Sequence, residues 1–518
     1  MFILLLTLAC LLLLRLPVAL YIGSFKDMGN WDSFAHRLFF RTLAKEHGCI
    51  SHVRVPHYLL DAGYEGPITY PLGYHTLLHG FGLTEKAFDR FGHLLPTLWD
   101  ALLIGATYAA MRHFGAAETK WLLFLPFQQI LTFRIARAFH HSERAFGTLL
   151  SNLFFLSAIG ILREGFQPVW MLLGVSSVIV ATVSSKFAWQ TMLLLTTISS
   201  LLLRNPIPIY WLLACIAASI VCTGGYAWHV LRGLLSHLRF CLRALLRQAN
   251  GVSYHTSATV PELFRLARRR QWKDLVMRSC EHACFLIILL APLTIVAADA
   301  LWHARMLDAT NVWWIAGVIA VLLVSLKPFG FIGRPERYLD GMMLPLVLSL
   351  SSVSFRSVDP PAFWLCVLLS ALATAISTIA VFWIYNASLR QRSADEAEAI
   401  AFLKRLATPS LHPPVLLSIP LWFCTKILLS TEKFRFLSFL GGVSDSRHAE
   451  ALQILWNWIG IVTPSLQRVV DTYHVRYLVV DRRFEKTINK RYGCIFYPRK
   501  PGSVIFENAS FEIRSIPG

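Results

Sequence analysis

Long apolar stretches alternate with short polar ones over most of this chain. An apolar run of about 20 residues is long enough to cross the ~30 Å hydrocarbon core of a bilayer as a helix. Such runs lie at Phe2–Ile22 and at about 92–112, 118–133, 143–163, 167–185, 187–203, 207–229, 281–301, 311–327, 338–354 and 362–385, with a shorter one at about 70–84. The pattern predicts an α-helical polytopic membrane protein with about eleven or twelve transmembrane helices.

Two regions depart from this pattern, and we expect both to lie outside the bilayer. Residues 23–69 form a polar and aromatic first loop, and residues 386–518 mix helical and strand-like stretches. The second region contains a helical stretch at 397–403, strands at 415–419 and 475–480, and a hairpin whose arms, 504–506 and 511–513, flank the turn residues Asn508-Ala509-Ser510. The sequence therefore predicts a transmembrane domain over 1–385 and a small C-terminal α/β domain over 386–518.

Composition excludes several classes of protein. The chain is 55% hydrophobic and only 15% charged, whereas an ordinary soluble domain is about 25% charged. Its ten cysteines include no pair at C-x-x-C spacing, so no zinc or redox motif is indicated. No glycine-rich phosphate loop occurs either, which argues against nucleotide hydrolysis as a source of energy.

Much of the net charge of +19 is concentrated between Arg232 and Arg278, a segment that contains ten basic residues and only two acidic ones. We interpret residues 230–279 as a basic cytoplasmic loop rather than a nucleic-acid-binding segment, because positive loops between spans remain in the cytoplasm. Arg239, Arg243 and Arg247 recur at helical spacing beside leucines, which predicts a basic amphipathic helix on the membrane surface. A solvated helix is the alternative. The side of the C-terminal domain depends on whether the run at 70–84 spans.

The first loop opens with candidate acid–base chemistry. Asp32 and His36 share a face if the stretch is helical, with Arg37 one step round. A carboxylate at the membrane surface, beside an imidazole and a guanidinium group, is suited to act as a general base on a phosphate-bearing substrate. The plainer alternative is that Asp32 only caps a short interfacial helix.

The loop closes with Tyr70-Pro71-Leu72-Gly73-Tyr74-His75, followed by His79. His75 and His79 are one helical turn apart, a spacing that can ligate a metal. No glutamate follows the first histidine as it would in H-E-x-x-H, so hydrogen bonding to a phosphate is the better match, with simple interfacial hydrogen bonding as the alternative.

Taken in order, these elements resemble the polytopic GT-C glycosyltransferases. The resemblance comprises an opening span, an acidic residue in a D-x-x-x-H setting (Asp32, His36), a Y-P-x-G-x-H element ending at His75, many spans and a terminal α/β domain. Further similar elements are Ser142-Glu143-Arg144, Ser185-Lys186, Arg334-Pro335-Glu336-Arg337-Tyr338-Leu339 and the terminal strand Tyr477-Leu478-Val479-Val480-Asp481. The order covers nearly the whole chain.

The resemblance implies transfer of a sugar from a polyprenyl-phosphate-linked donor, at the extracytoplasmic face, to a glycan, lipid or protein acceptor. We expect the plasma membrane as the location, with the endoplasmic reticulum as the alternative. Asp32 would be the catalytic carboxylate, with Asp27 in reserve. The substrate and phosphate-binding candidates are His36, Arg37, Tyr70, His75, His79, Arg334 and Arg337. No tight D-x-D pair occurs, so no cofactor is expected and a divalent metal is only an open option. Arg334 and Arg337 have the alternative of anchoring the end of a span by snorkelling.

Two other classes of function remain open. A multi-pass transporter or lipid flippase would carry acidic residues within its spans, where Asp100, Asp299 and Asp340 are the candidates. Matching broken helices in two halves, which are typical of transporters, are not evident. A non-catalytic assembly subunit would predict that Asp32→Asn has no effect.

Overall fold

A computed structural model describes the chain over residues 1–24, 31–45, 59–61, 70–116, 119–126, 141–247, 307–326, 336–352, 360–406, 413–419, 423–431, 433–438, 466–486 and 500–517, with isolated residues between 264 and 332. The chain is mostly helical, with a six-stranded sheet. It divides into two compact units: 1–24, 90–230 and 241–382 in the first, and 25–89, 231–240 and 383–518 in the second.

The first unit contains the apolar helices. Numbered along the chain, the helices of both units up to residue 406 are α1 (Phe2–Ser24), α2 (Trp31–Lys45), α3 (Gly73–Gly80), α4 (Glu85–Phe91), α5 (Leu95–His113), α6 (Arg144–Glu164), α7 (Pro168–Ser184), α8 (Lys186–Leu203), α9 (Ile207–Cys222), α10 (Tyr226–Arg247), α11 (Asn311–Ser325), α12 (Glu336–Gly341), α13 (Met343–Ser352) and α14 (Pro360–Leu406). Helices α2 and α3 belong to the second unit, and α4, α10 and α14 contain residues of both units. Short 3-10 turns lie at Gly92–Leu94 and Thr119–Leu123.

Among the described residues, four helical stretches are long and apolar enough to cross a membrane by length and composition: Phe2–Leu20, Glu85–His113, Arg144–Glu164 and Lys186–Leu203. The apolar helices at Pro168–Ser184, Ile207–Cys222, Asn311–Ser325 and Met343–Ser352 are shorter. The predicted run at 281–301 falls mainly outside the described residues, as does the second half of the run at 118–133. The count of eleven or twelve spans therefore stays a prediction.

Two of the predicted runs contain breaks. The run at 207–229 is not one helix, because α9 ends at Cys222 and Gly224 and Gly225 adopt positive φ angles of 57° and 87° before α10 begins. Glycine alone adopts these angles without steric cost, so the dipeptide makes a sharp turn. The run at 338–354 is divided between α12 and α13 at Met342.

A buried asparagine binds backbone groups at the break between α12 and α13. Asn152 on α6 is fully buried, donates to the Asp340 carbonyl at 3.0 Å and accepts from the Leu344 amide at 3.0 Å. The break between α12 and α13 leaves backbone groups without helical partners, and an amide side chain supplies both a donor and an acceptor. Asn152 therefore stabilises a kinked helix pair inside an apolar unit.

The second unit is built around a mixed sheet. Its strands are β1 (Leu59–Asp61), β2 (Val415–Ile419), β3 (Arg435–Ser438), β4 (Val475–Asp481), β5 (Ser503–Glu507) and β6 (Phe511–Ser515), in the order β1-β3-β2-β4-β6-β5, with helices α15 (Phe423–Ser430) and α16 (Leu466–Tyr473) between strands. The first four strands are parallel, and β5 and β6 form an antiparallel hairpin. The predicted strands at 415–419 and 475–480 and the predicted hairpin are confirmed.

Part of the first loop belongs to this same unit. The edge strand β1 pairs in parallel with β3, Leu60 opposite Leu437. One face of α2 enters the hydrophobic core through Ala35, Leu38, Phe39 and Leu43, together with buried residues of the sheet. Helix α14 runs without interruption across residue 386. The loop and the C-terminal region therefore fold around one core.

Candidate functional site

Two histidines of the sequence-predicted site meet in the second unit. His36 lies on α2 and His75 on α3, and His36 Nδ1 lies 3.0 Å from His75 Nε2. Both side chains are buried, His36 at 3% exposure and His75 at 0%. The D-x-x-x-H segment and the Y-P-x-G-x-H element are therefore joined by a hydrogen bond between residues 39 positions apart.

This contact constrains the protonation of the pair. A hydrogen bond between two imidazole nitrogens requires one N–H donor and one lone pair, so the two facing atoms share a single proton. One ring therefore donates and the other accepts through these two atoms, which fixes the orientation of both rings.

Aromatic rings surround the imidazoles. Tyr70 stacks on Phe39 with ring centroids 4.7 Å apart and lies 5.8 Å from His36. His75 has the Tyr74 ring at 5.4 Å and the Phe88 ring at 6.2 Å. These rings exclude water from the pair, which strengthens the electrostatic interactions within it. Tyr70, predicted as a substrate-binding residue, is part of this wall.

Helix α2 is fixed to α4 by two ion pairs. Arg37 binds Asp89 through two parallel hydrogen bonds of 2.7 and 2.9 Å, and Arg41 binds Glu85 at 2.6 Å. Both pairs follow i, i+4 spacing, so the two helices run antiparallel along this contact. Arg41 also donates to the Leu429 carbonyl at 3.3 Å. The predicted phosphate ligand Arg37 is therefore held by a carboxylate through its Nε and Nη2 atoms.

A buried ion pair lies near the start of α2. Lys426 on α15 contacts Glu396 on α14, and both side chains are 7% exposed. The Lys426 ammonium also lies 5.3 Å from the centre of the Phe34 ring on α2. Breaking such a pair would leave a buried charge without a partner, which is costly. The Lys426–Glu396 ion pair therefore holds the two helices in a fixed local geometry. Sequence reasoning did not find this pair, because the partners are far apart in sequence.

The remaining predicted residues are less completely described. Asp32 lies on α2 one turn before His36, but its side chain is outside the described residues, as is the whole of Asp27. His79 is half-buried on α3, with its ring 6.2 Å from that of Phe40. Arg337 lies on α12 with its side chain outside the described residues, and Arg334 is outside them altogether. Both arginines belong to the first unit.

Within the described residues, no group of three histidine, cysteine, aspartate or glutamate side chains is gathered in a way that could hold a metal ion. His36 Nδ1 and His75 Nε2 are hydrogen-bonded to each other.

A buried ion pair lies in the apolar interior of the first unit. Arg15 on α1 donates to Asp100 on α5 at 2.9 Å, and their side chains are 1% and 4% exposed. Asp340, another acidic residue noted from the sequence, is 8% exposed, and Asp299 is outside the described residues. Asp100 is thus neutralised by a cation that sequence reasoning did not assign to it.

Three solved structures of one archaeal enzyme are similar to this chain. The oligosaccharyltransferase AglB from Archaeoglobus fulgidus, in complex with an inhibitory peptide and a dolichol-phosphate, is 12% identical, with a TM-score of 0.47 over 95% of this chain and 70% of that one. The complex with Zn and sulfate is 13% identical, with a TM-score of 0.47 over 99% and 74%. The form tethered with an acceptor peptide containing the NVT sequon is 11% identical, with a TM-score of 0.48 over 95% and 70%. The sequence matches no known family and no curated protein.

Proposed function

We propose that this chain is a membrane glycosyltransferase of the GT-C type, which moves a sugar from a polyprenyl-phosphate-linked donor to an acceptor at the extracytoplasmic face. The observation that carries the proposal is the buried hydrogen bond between His36 and His75. It joins the two first-loop elements on which the sequence resemblance rests. A donor with a long hydrocarbon tail stays in the bilayer, so its enzyme needs spans as well as a polar first loop.

In this proposal Asp32 acts as the general base. The acceptor hydroxyl gives its proton to the carboxylate while the acceptor oxygen bonds to the anomeric carbon of the sugar. The bond from that carbon to the phosphate oxygen breaks, and its electron pair leaves with the polyprenyl phosphate. Asp32 precedes His36 by four residues on α2, a spacing by which the proposed base and the imidazole pair would share one side of the helix.

The imidazole pair stabilises the leaving group. Phosphate gains negative charge as the bond breaks. The facing nitrogens bind each other, so the ring that accepts in that bond carries its N–H on its outer nitrogen, His36 Nε2 or His75 Nδ1, and this N–H would donate to the departing phosphate. The contact of Arg37 with Asp89 keeps α2 in position, which allows the base to be aligned before substrate arrives. Tyr70, His79, Arg334 and Arg337 remain the further candidates for substrate binding.

The test uses the full-length protein in lipid nanodiscs with a panel of radiolabelled polyprenyl-phosphate sugars and a mixture of acceptors. Asp32→Asn should reduce transfer by about 10²- to 10⁴-fold, the usual contribution of a general base, with donor binding retained. Asp471→Asn is the matched control, because Asp471 is an exposed carboxylate on α16. Asp27→Asn examines the reserve assignment. Wild-type turnover by both first-loop variants would reject the enzymatic assignment.

A carrier is the second candidate, and the buried Arg15–Asp100 pair is the observation that favours it. Ionisable pairs inside apolar helices are often part of a transport pathway. The two proposals are distinguished in proteoliposomes that carry a fluorescent lipid-linked sugar in one leaflet, by measuring its movement to the other leaflet. Movement across the bilayer that is lost in Asp100→Asn, without any transfer to acceptors, would favour carriage.

A further inference from the structure

Helix α10 has an unusual division of its surface. Its residues Ala227, Val230, Leu231 and Leu234 are buried and lie on one side of the helix. At 100° per residue, an apolar stripe adjoins this buried side, and a basic stripe follows it toward the opposite side of the helix. A helix that served only as a span or only as a soluble element would not need both stripes.

The apolar stripe contains Trp228 and Leu235, seven residues apart, and the next position in register is Leu242. Trp228 is 54% exposed and Leu235 is 42% exposed. Large apolar side chains left outside the core at regular spacing indicate a surface that meets an apolar phase. Tryptophan in particular favours the boundary between lipid headgroups and acyl chains.

The basic stripe runs directly beside the apolar one. Arg232 and Arg239 are exposed, and Arg243 and Arg247 continue the same line of the helix by their spacing. Helix α10 contains no acidic residue. Arginines that flank an exposed apolar stripe place guanidinium groups at headgroup level when the apolar side chains enter the acyl boundary.

We propose that α10 lies along the membrane surface and binds anionic phospholipid headgroups. Its Trp228–Leu235 stripe enters the acyl boundary, and its arginines bind headgroup phosphates. The turn at Gly224–Gly225 lets the chain leave α9 and enter α10 in a new direction, so the surface helix follows an apolar helix directly. The proposal assumes that the chain is in a membrane but does not depend on sugar transfer.

Photocrosslinking tests the contact in the full-length protein. p-Benzoylphenylalanine is placed at Trp228 in nanodiscs of phosphatidylcholine with a minority of phosphatidylglycerol, and lipid adducts are identified by mass spectrometry. We expect phosphatidylglycerol to be enriched about fivefold over its share of the bilayer, since one arginine near an anionic surface contributes about 1 kcal/mol. High salt should reduce this enrichment, because exposed charges are screened.

Two controls separate the proposal from general lipid contact. Arg232→Gln with Arg239→Gln should lower the enrichment at position 228 at least twofold, whereas Lys404→Gln with Arg405→Gln, an equal loss of exposed charge on α14, should leave it unchanged. The same photoprobe at Leu213 on α9, which is 51% exposed, should label both lipids in proportion to their abundance. Adducts to protein rather than lipid at position 228, or enrichment that survives the arginine substitutions, would overturn the proposal. Loss of sugar transfer in Asp32→Asn would not affect this result.

Discussion

Amide replacements test which atoms of the His36–His75 pair carry the contact. The amide of glutamine reaches the position of a histidine Nε2, and the shorter amide of asparagine reaches that of Nδ1. The bond joins His36 Nδ1 to His75 Nε2. His75→Gln and His36→Asn should therefore keep a hydrogen bond, and His75→Asn and His36→Gln should lose it.

The size of the effect follows from burial. His75 is fully buried and His36 nearly so, so the partner left behind cannot turn to water. A buried polar group that loses its partner costs about 1–3 kcal/mol, which corresponds to roughly a 5- to 150-fold change in a local opening equilibrium. The two replacements at each position differ by one methylene, so a difference between them reports mainly the position of the amide.

Hydrogen exchange measured by mass spectrometry gives the local readout. Peptides covering α2 and α3 should exchange faster in His75→Asn than in His75→Gln, while peptides from β5 and β6 stay unchanged. Donor affinity should follow the same order, and His75→Ala should weaken donor binding more than it slows the chemical step. Equal exchange in the two amide variants would refute the assigned hydrogen bond, and unchanged donor affinity would refute its role in binding.

Three further predictions concern other contacts. A double-mutant cycle with Arg37→Gln and Asp89→Asn should give a coupling of about 1 kcal/mol in unfolding free energy, since the pair is bidentate and only partly exposed; additive effects would show that the pair is not formed. Asn152→Ala should destabilise the first unit by about 2–5 kcal/mol in denaturant unfolding, because two buried backbone groups lose their partner; Asn152→Asp with equal stability would contradict this. Burial raises the pKa of Glu512, but Arg514 and a neighbouring lysine outweigh it and hold that pKa below its usual value. The ionised Glu512 side chain should therefore stabilise the folded protein at pH values above the usual carboxyl pKa, and this contribution should be lost as the pH falls through the lowered pKa. In Glu512→Gln, the free energy of unfolding should depend less on pH on the acid side.

The terminal strands could be predicted because their signals are local. Strands 415–419 and 475–480 are short apolar runs, and the hairpin has turn residues between two arms. Strand β1 carries no such signal, since it is three residues long and pairs with β3 from the far end of the chain. Its stability comes from a long-range parallel partner, which single-sequence patterns do not contain.

Apolar content alone overlooked the helix breaks. Gly224 and Gly225 were visible in the sequence as a turn signal inside the run at 207–229, and the structure shows the turn there. The break at Met342 has no comparable marker, because it depends on hydrogen bonds from Asn152 on a separate helix. An apolar pattern does not reveal a break whose backbone groups are bound by a polar side chain from another helix.

The sequence predicts which residues belong to the candidate site, but it does not predict which of their side chains contact each other. His36, Arg37, Tyr70, His75 and His79 were grouped by chemistry, and all lie in the second unit. The ion pairs of α2 with α4 could have been found, because two arginines and two carboxylates share the same i, i+4 spacing. The meeting of the two imidazoles could not, since no spacing rule relates positions 39 residues apart.

The central claim is that the start of α2 faces a lipid-linked sugar donor. Cryo-electron microscopy of the full-length protein in nanodiscs with a polyprenyl phosphate tests it most directly. We expect phosphate density within hydrogen-bonding distance of the His36–His75 pair. The Asp32 carboxylate should be directed toward that phosphate, and the polyprenyl tail should lie in the bilayer. Phosphate bound elsewhere, with Asp32 and Asp27 both directed away from any cavity that opens to lipid, would contradict it.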